Sequence, residues 1–275
     1  MNPAISVIVT TYERPDALAA VLRGLGDQTD DDFEVVVADD GSGDSTRRVI
    51  HDADTAGPLA GRVTHAWQPD DGFRAARARN LAASRARGDI LVMLDGDCIP
   101  RPGFIHAQRR CRPGVALRGS RCLLDATATE RVLTDGVPVE AMGVMAWLGR
   151  RLAGRVNRLP QLAGTPIAAL GRRLSWRTFR TCNAAVHRRD FTAVDGFDHA
   201  FRGWGYEDSD LAIRLGAAGV CIRGAAPAAT VVHLWHPEAD RTLEGENRTR
   251  LDEVRTSGRT RAVEGLSSLD AASDP

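Results

Sequence analysis

The strongest constraint on this chain is a repeated pattern. Short runs of β-branched and aliphatic residues end abruptly in polar or acidic ones. Residues 4–10 (AISVIVT) run into Thr11-Tyr12, residues 33–38 (FEVVVA) into Asp39-Asp40-Gly41-Ser42, and residues 90–94 (ILVML) into Asp95-Gly96-Asp97. Continuous apolar runs of this length suit strands buried on both faces, as in parallel sheets. Helical patterns lie between them. Pro15 suits a first turn, and Leu18, Leu22 and Leu25 share one face. Residues 75–87 read as a helix with Gly88 at its C′ position, and residues 62–67 as a further strand. This βαβαβαβ order predicts an α/β fold, a mostly parallel Rossmann-like sheet with flanking helices. Ligands of such sheets sit beyond the carboxyl ends of the strands. Thr10, Thr11, Tyr12, Asp39, Asp40, Asp95 and Asp97 all fall at such ends.

At 275 residues with 43% apolar side chains, the chain suits one large domain or a domain with a sizeable insertion. A formal net charge of zero gives no sign of a nucleic-acid partner. All 36 basic side chains are arginine. The five cysteines form no CxxC pair, which predicts buried thiols in a reducing compartment rather than a zinc site. No signal-peptide pattern opens the chain, and no apolar stretch is long enough to cross a bilayer. A cytoplasmic protein, soluble or peripheral, is expected.

The character changes after Glu140. No acidic residue occurs before Asp190, while Arg150, Arg151, Arg155, Arg158, Arg172, Arg173, Arg177 and Arg180 interleave with Met142, Met145, Trp147, Leu148, Leu152, Leu162, Ile167, Leu170 and Trp176. Residues 126–179 therefore read as a basic amphipathic helical insert in a domain spanning residues 1–237. Residues 142–180 are the expected contact with an anionic membrane; the competing reading is a helical subdomain that shields a binding groove. Residues 238–275, charged and poor in large apolar side chains, read as a flexible tail.

Four constellations carry chemistry. In extended backbone the carboxylates of Asp95 and Asp97 face one side and meet one divalent cation, with Gly96 allowing close approach. Asp40, in the turn after the second strand, is placed to accept hydrogen bonds from a base or a ribose; the competing reading is an Asx-type turn. The string Gly203-Trp204-Gly205-Tyr206-Glu207-Asp208-Ser209-Asp210 puts carboxylates at a helix N-terminus, where one is placed to deprotonate an attacking hydroxyl. His233 or His236, after an apolar run, would complete a cation site; imidazole with carboxylate suits Mn²⁺ better than Mg²⁺. The helix opening at Gly72, with Arg74, Arg79 and Asn80, is a further place for a diphosphate.

Taken together, SVIVTTYERPDAL, VVVADDGSGD, GFRAARARNLAA and ILVMLDGDCIP resemble the family-2 glycosyltransferases with the GT-A fold. The stretch CNAAVHRRDFTAVDGFDHAFRGWGYEDSDLAIRL is similar to the carboxyl-terminal part of β-1,4-galactosyltransferases and chondroitin polymerases. The resemblance covers residues 4–125 and 180–237. It implies a metal-dependent, inverting transfer of a sugar of the Gal, GalNAc, Glc or GlcNAc class from a UDP-sugar to a glycan or lipid-linked glycan, in surface polysaccharide synthesis. By the same resemblance Thr10, Tyr12, Glu13, Asp40, Arg79, Asp95 and Trp204 would bind the donor. Asp97, with Asp95 and His233 or His236, would bind Mn²⁺ or Mg²⁺. Asp208, beside Glu207, would be the base, and Tyr206 and Asp210 would meet the acceptor. Ser209 stands where the galactosyltransferases carry a further Asp, and Tyr206 where they carry a glycine. The competing readings are a non-catalytic nucleotide-sugar or glycan-binding module and a sugar nucleotidyltransferase; TTYERPDAL lacks the glycine-rich loop of the latter.

Overall fold

A computed structural model describes residues 5–159 and 173–269. The order of elements is β1 (Ile5–Thr11), α1 (Pro15–Gly26), β2 (Phe33–Asp39), α2 (Asp44–Thr55), β3 (Val63–Trp67), α3 (Ala75–Arg85), β4 (Ile90–Asp95), β5 (Cys98–Pro100), α4 (Phe104–Gln108), β6 (Val115–Arg118), β7 (Arg121–Leu123), α5 (Ala126–Thr134), α6 (Val144–Leu152), β8 (Asn183–His187), α7 (Arg188–Ala193), α8 (Glu207–Ala217), β9 (Cys221–Gly224), β10 (Val231–His233) and α9 (Glu244–Ser257).

The main sheet has the order β3-β2-β1-β4-β8-β6-β9. Strands β1 to β4 pair in parallel, as expected from their apolar runs. Strand β8 is antiparallel to both β4 and β6, and β6 is parallel to β9. The sheet is thus mostly parallel, as the sequence predicts, and β8 makes it mixed. A small second sheet, β5-β10-β7, crosses the end of the first and carries His233 beside the turn that follows β4.

The core lies on both faces of the main sheet. Leu18, Val21, Leu22 and Leu25 of α1 pack on Val7, Val9 and Val35 of one face. On the other face Ala78, Leu81 and Ala82 of α3 and Leu211 and Leu215 of α8 pack on Ile8, Val36 and Met93. Each fully buried aliphatic side chain contributes about 1.5–3 kcal/mol.

Gly88 is not the C′ residue of α3. The helix ends at Ala86 in extended backbone. Gly88 is needed because a Cβ there would lie 2.6 Å from the backbone of Ile5 and Ser6. Gly96 also lies against β1: its N–H donates to the Thr10 carbonyl at 2.7 Å, and a Cβ there would stand 2.8 Å from that oxygen.

Within residues 126–179, α5 and α6 are the α-helices among the described residues. Trp147 is fully buried, whereas Val144, Met145, Leu148 and Leu152 of α6 are exposed. A short 3₁₀ turn, Trp176–Thr178, leads toward β8. The expected helical positions Leu162, Ile167, Leu170 and Arg172 lie outside the described residues.

The expected flexible tail needs correction. Residues 244–257 form α9, which buries Asn247, Leu251 and Val254. The segment after it is tied back by Arg259 and the backbone of Val263 to Asp198, and by Ser267 to Asp195. Polar composition misleads here because buried hydrogen bonds to Asp195 and Asp198, rather than apolar area, fasten the segment. No described helix is long and apolar enough to cross a membrane.

Candidate active site

A cleft of about 1380 Å³ opens at the carboxyl edge of the main sheet. Thr10, Tyr12, Asp40, Arg79, Asp95, Asp97, Trp204, Tyr206, Glu207, Asp208, His233 and His236 line it. These expected site residues come from six separate stretches of sequence that the topology brings together.

At one end the buried Asp40 carboxylate accepts hydrogen bonds from Gln68 Nε2 and the Arg74 N–H, each at 2.6 Å. Burial pushes its carboxyl up, against those bonds. The Tyr12 hydroxyl donates to Asp70 at 3.0 Å, and its ring is exposed to the cleft. Glu13 does something other than expected. Its carboxylate accepts from the Gly43 N–H at 2.7 Å and its own N–H donates to Ser42 Oγ at 2.9 Å. Glu13, in left-handed backbone at φ 46°, therefore braces the turn after β2.

The two aspartates after β4 part company. Asp95 ends the strand, a turn intervenes, and Asp97 follows. The alternation of extended backbone stops there, so the two carboxylates do not share one position. Asp95 pairs with Arg79 at 3.0 Å. Asp97 instead meets His233 at 3.7 Å and His236 at 3.4 Å. One ligand atom from each of Asp97, His233 and His236 lies within 4.8 Å of the others, a spacing that fits one cation. Burial pushes the His233 imidazole down, toward the neutral form that ligates metals. Two imidazoles and a carboxylate fit a first-row divalent ion, Mn²⁺ among them, better than Mg²⁺, which prefers oxygen ligands alone. Arg14, which sequence reasoning missed, donates to Asp97 Oδ2 at 2.9 Å. Its place just past the end of β1 was the available signal.

Arg79 is the electrostatic centre of the cleft floor. Its side chain is 6% exposed and donates to Thr10 Oγ1 at 3.0 Å, Asp95 at 3.0 Å and Glu207 at 3.2 Å. Burial, with the nearby Asp97 and Asp208 charges, pushes Asp95 up to about 6 against the pull of Arg79. Burial and the neighbouring Asp208 push Glu207 up to about 7. The expectation that Arg79 binds the donor is thus modified. Its fork is taken up by protein carboxylates, which it orients.

Glu207 and Asp208 open α8, and the helix N-terminus favours their charged forms. Tyr206 makes the turn into the helix at φ 74°, and its hydroxyl donates to Glu244 at 3.4 Å. The hydroxyl of Thr181, a second residue the sequence did not flag, donates to Asp208 Oδ1. Arg241 stacks over the Trp204 ring at 4.4 Å.

Asp210 corrects a further expectation. On a helix it lies roughly 200° around from Asp208. It therefore faces the core, fully buried, and pairs with Arg214 at 2.5 Å. It does not line the cleft, so it is not placed to meet an acceptor.

Residues 6–109 match the model of glycosyl transferase family 2, and residues 164–237 match that of the N-terminal domain of galactosyltransferase. Validoxylamine A glucosyltransferase of Streptomyces hygroscopicus subsp. jinggangensis is 31% identical over 233 residues, covering 79% of this chain and 52% of that protein. Chondroitin synthase of Escherichia coli is 26% identical over 241 residues, covering 80% of this chain and 33% of its own. The chain thus spans about half the length of the first relative and a third of the second. In fold it is similar to the mannosyltransferase PcManGT of Pyrobaculum calidifontis, solved with GDP-Man and Mn²⁺, at a TM-score of 0.54 and 20% identity over 100% of this chain and 77% of that one. The fold is that of the GT-A glycosyltransferases, and the chain joins a first part that matches glycosyl transferase family 2 to a second part that matches the N-terminal domain of galactosyltransferase.

Proposed function

We propose that this chain moves a hexose from a UDP-sugar to a hydroxyl of a glycan or lipid-linked glycan, with inversion, in a single displacement. One observation carries the reading. The Asp97–His233–His236 cluster and the Glu207–Asp208 pair line one cleft at the carboxyl edge of the sheet. The activities of two relatives, a glucosyltransferase and a chondroitin synthase, agree with a hexose donor.

In this reading Asp97, His233 and His236 hold Mn²⁺, or less favourably Mg²⁺. The chemistry a divalent cation supplies there is neutralisation of the departing diphosphate. Asp40, Thr10 and Tyr12 receive the nucleoside, and Trp204 and Tyr206 wall the sugar. The acceptor oxygen attacks the anomeric carbon opposite the diphosphate and the carbon–oxygen bond to phosphate breaks. The acceptor proton passes to Asp208, which Thr181 holds in place. Glu207 stands beside the base, held by Arg79, and is not itself free to swing.

The same reading seats the enzyme on the cytoplasmic face of an anionic membrane through α6, as part of surface polysaccharide synthesis. Met145 and Leu152 are 78% and 82% exposed, and Arg150, Arg151 and Arg155 lie in the same stretch. Flotation with vesicles with and without anionic lipid tests it; failure to bind either sinks the membrane part.

Nucleotide release from UDP-, GDP- and dTDP-sugars, with Mn²⁺ and then with chelator, tests the central claim. Release from a UDP-sugar that chelator abolishes is the expected result. No release, together with no rise in Tm on adding nucleotide and Mn²⁺, would favour a non-catalytic nucleotide-sugar module.

A further inference from the structure

The carboxyl edge of the main sheet divides into halves of opposite charge. On the β2-β1-β4 side stand Asp39, Asp40, Asp95 and, in the turn beyond, Asp97. The β8-β6 side carries arginines. Strand β6 runs antiparallel to β8, as β4 does, so Arg118 at its end lies on the same edge. Arg180 enters that edge just before β8, and Arg121 opens β7. Arg121 and Arg180 line the cleft together with Asp208.

These arginines have no carboxylate partner among the described residues. Arg180 donates to the carbonyls of Arg177 and Phe179, at 3.1 and 2.6 Å. Arg121 reaches Cys182 Sγ at 3.8 Å. Arg118 Nε is buried without a hydrogen-bond partner. Burial pushes the Arg118 guanidinium down, and the charges of Arg158 and Arg180 push it further. The sequence has no acidic residue between Glu140 and Asp190, so the adjoining insert offers no counter-charge. Arg118, Arg158 and Arg180 repel one another, and a bound anion relieves these three at once, whereas Arg121 already feels the Asp95 charge.

The position says which ligand benefits. Arg180 adjoins Thr181, whose hydroxyl holds Asp208. The cation-binding cluster of Asp97 lies instead beside Arg14 and, through His233, nearer Arg121. We propose that Arg180, backed by Arg118 and Arg158, binds a carboxylate or phosphate carried by the acceptor, so that this enzyme glycosylates an acidic sugar rather than a neutral one. This rests on the transferase reading and names its acceptor class.

The test titrates methyl glucuronide, glucose 6-phosphate and neutral methyl glucoside into the full chain by calorimetry, with UDP titrated in parallel. The expected result is that one or both anions bind about tenfold or more tightly than the neutral sugar, as charge-assisted hydrogen bonds imply. That preference should weaken with added salt and disappear in R118Q/R180Q, which keeps the wild-type affinity for UDP. The exposed R180Q alone repeats the measurement if the double variant folds poorly. The comparison of glucuronide with phosphate tells which anion is read. Equal binding of all sugars, or binding of none, overturns the proposal. So does a loss of UDP affinity in step with the anions, which would assign the arginines to the donor diphosphate. A chain that binds an anion but not UDP would overturn the transferase reading and leave the anion site standing.

Discussion

Arg79 Nη1 stands 3.2 Å from Glu207 Oε1, and through this contact the helix before β4 fixes the helix that carries the proposed base. The pair joins parts of the chain that match different family models. Arg79 is also the cation that lets Asp95 and Glu207 coexist in a buried floor.

Removing that cation leaves two half-buried carboxylates uncompensated. Arg79→Met should lower stability by about 3–5 kcal/mol, the usual cost of breaking a buried ion pair. Arg79→Lys should recover only part, since an ammonium lacks the fork that reaches Thr10, Asp95 and Glu207 together. Urea melts of the three proteins check this; equal midpoints would show that the pairings carry no stability.

Glu207, at about 7, holds its proton more tightly when folded than an ordinary carboxyl near 4.5 does. The native state therefore binds more protons between these values, and stability falls as pH rises through that window. Asp95, at about 6, acts in the same direction. From pH 4.5 to 8 the Tm of the wild type should fall relative to Glu207→Gln, which lacks the titration. Parallel Tm curves would contradict the assignment.

Thr181→Val keeps the shape of the side chain and removes the donor to Asp208. A misoriented base should lower kcat by about 10–100-fold, within the range general-base catalysis supplies. Donor KM should stay within about twofold. A change confined to KM would mean that Thr181 serves binding.

Asp210→Ala leaves Arg214 buried without its carboxylate. Destabilisation of about 3–5 kcal/mol is expected, with acceptor KM unchanged in the protein that remains folded. Thermal melts and acceptor kinetics separate these outcomes. A raised acceptor KM at unchanged stability would restore the acceptor role that the burial of Asp210 argues against.

Asn247 donates to the carbonyls of Arg202 and Trp204, at 2.8 and 3.4 Å, from α9. Asn247→Ala should cost about 1–3 kcal/mol, the price of buried acceptors left unmet. It should also raise donor KM by loosening the Trp204 turn. Tm and donor kinetics measured together check this, and a loss of stability with unchanged donor KM would confine Asn247 to the scaffold.

The parallel half of the sheet was legible because strands buried on both faces must be apolar throughout, as VVVA before Asp39 is. The antiparallel course of β8 was not, because pairing direction leaves no trace in one strand's composition. Helix α2 was missed since only Thr46 and Ile50 of it are buried. The clustering of Asp97 with the histidines could be anticipated from residue chemistry. Asp95 was expected beside Asp97 because the alternation of a strand was carried past its end into a turn. The acceptor role of Asp210 came with the family resemblance, and the helix that starts at Glu207 turns that side chain into the core instead. Arg14 and Thr181 carry no motif of their own and become visible only when β1, β4 and β8 lie side by side.

The junction of β4 with β8 pairs Leu94 with Asn183 and so joins the two walls of the cleft directly. The segment between β7 and β8 is anchored on its inner side: Thr129, Leu133 and Thr134 of α5 line the cleft and Trp147 of α6 is buried in the core, while Met145 and Leu152 of α6 stay exposed. Its outer face can therefore vary in sequence while its inner face keeps the cleft wall in place. Relatives that differ on the outer face alone would keep one cleft and meet different surroundings.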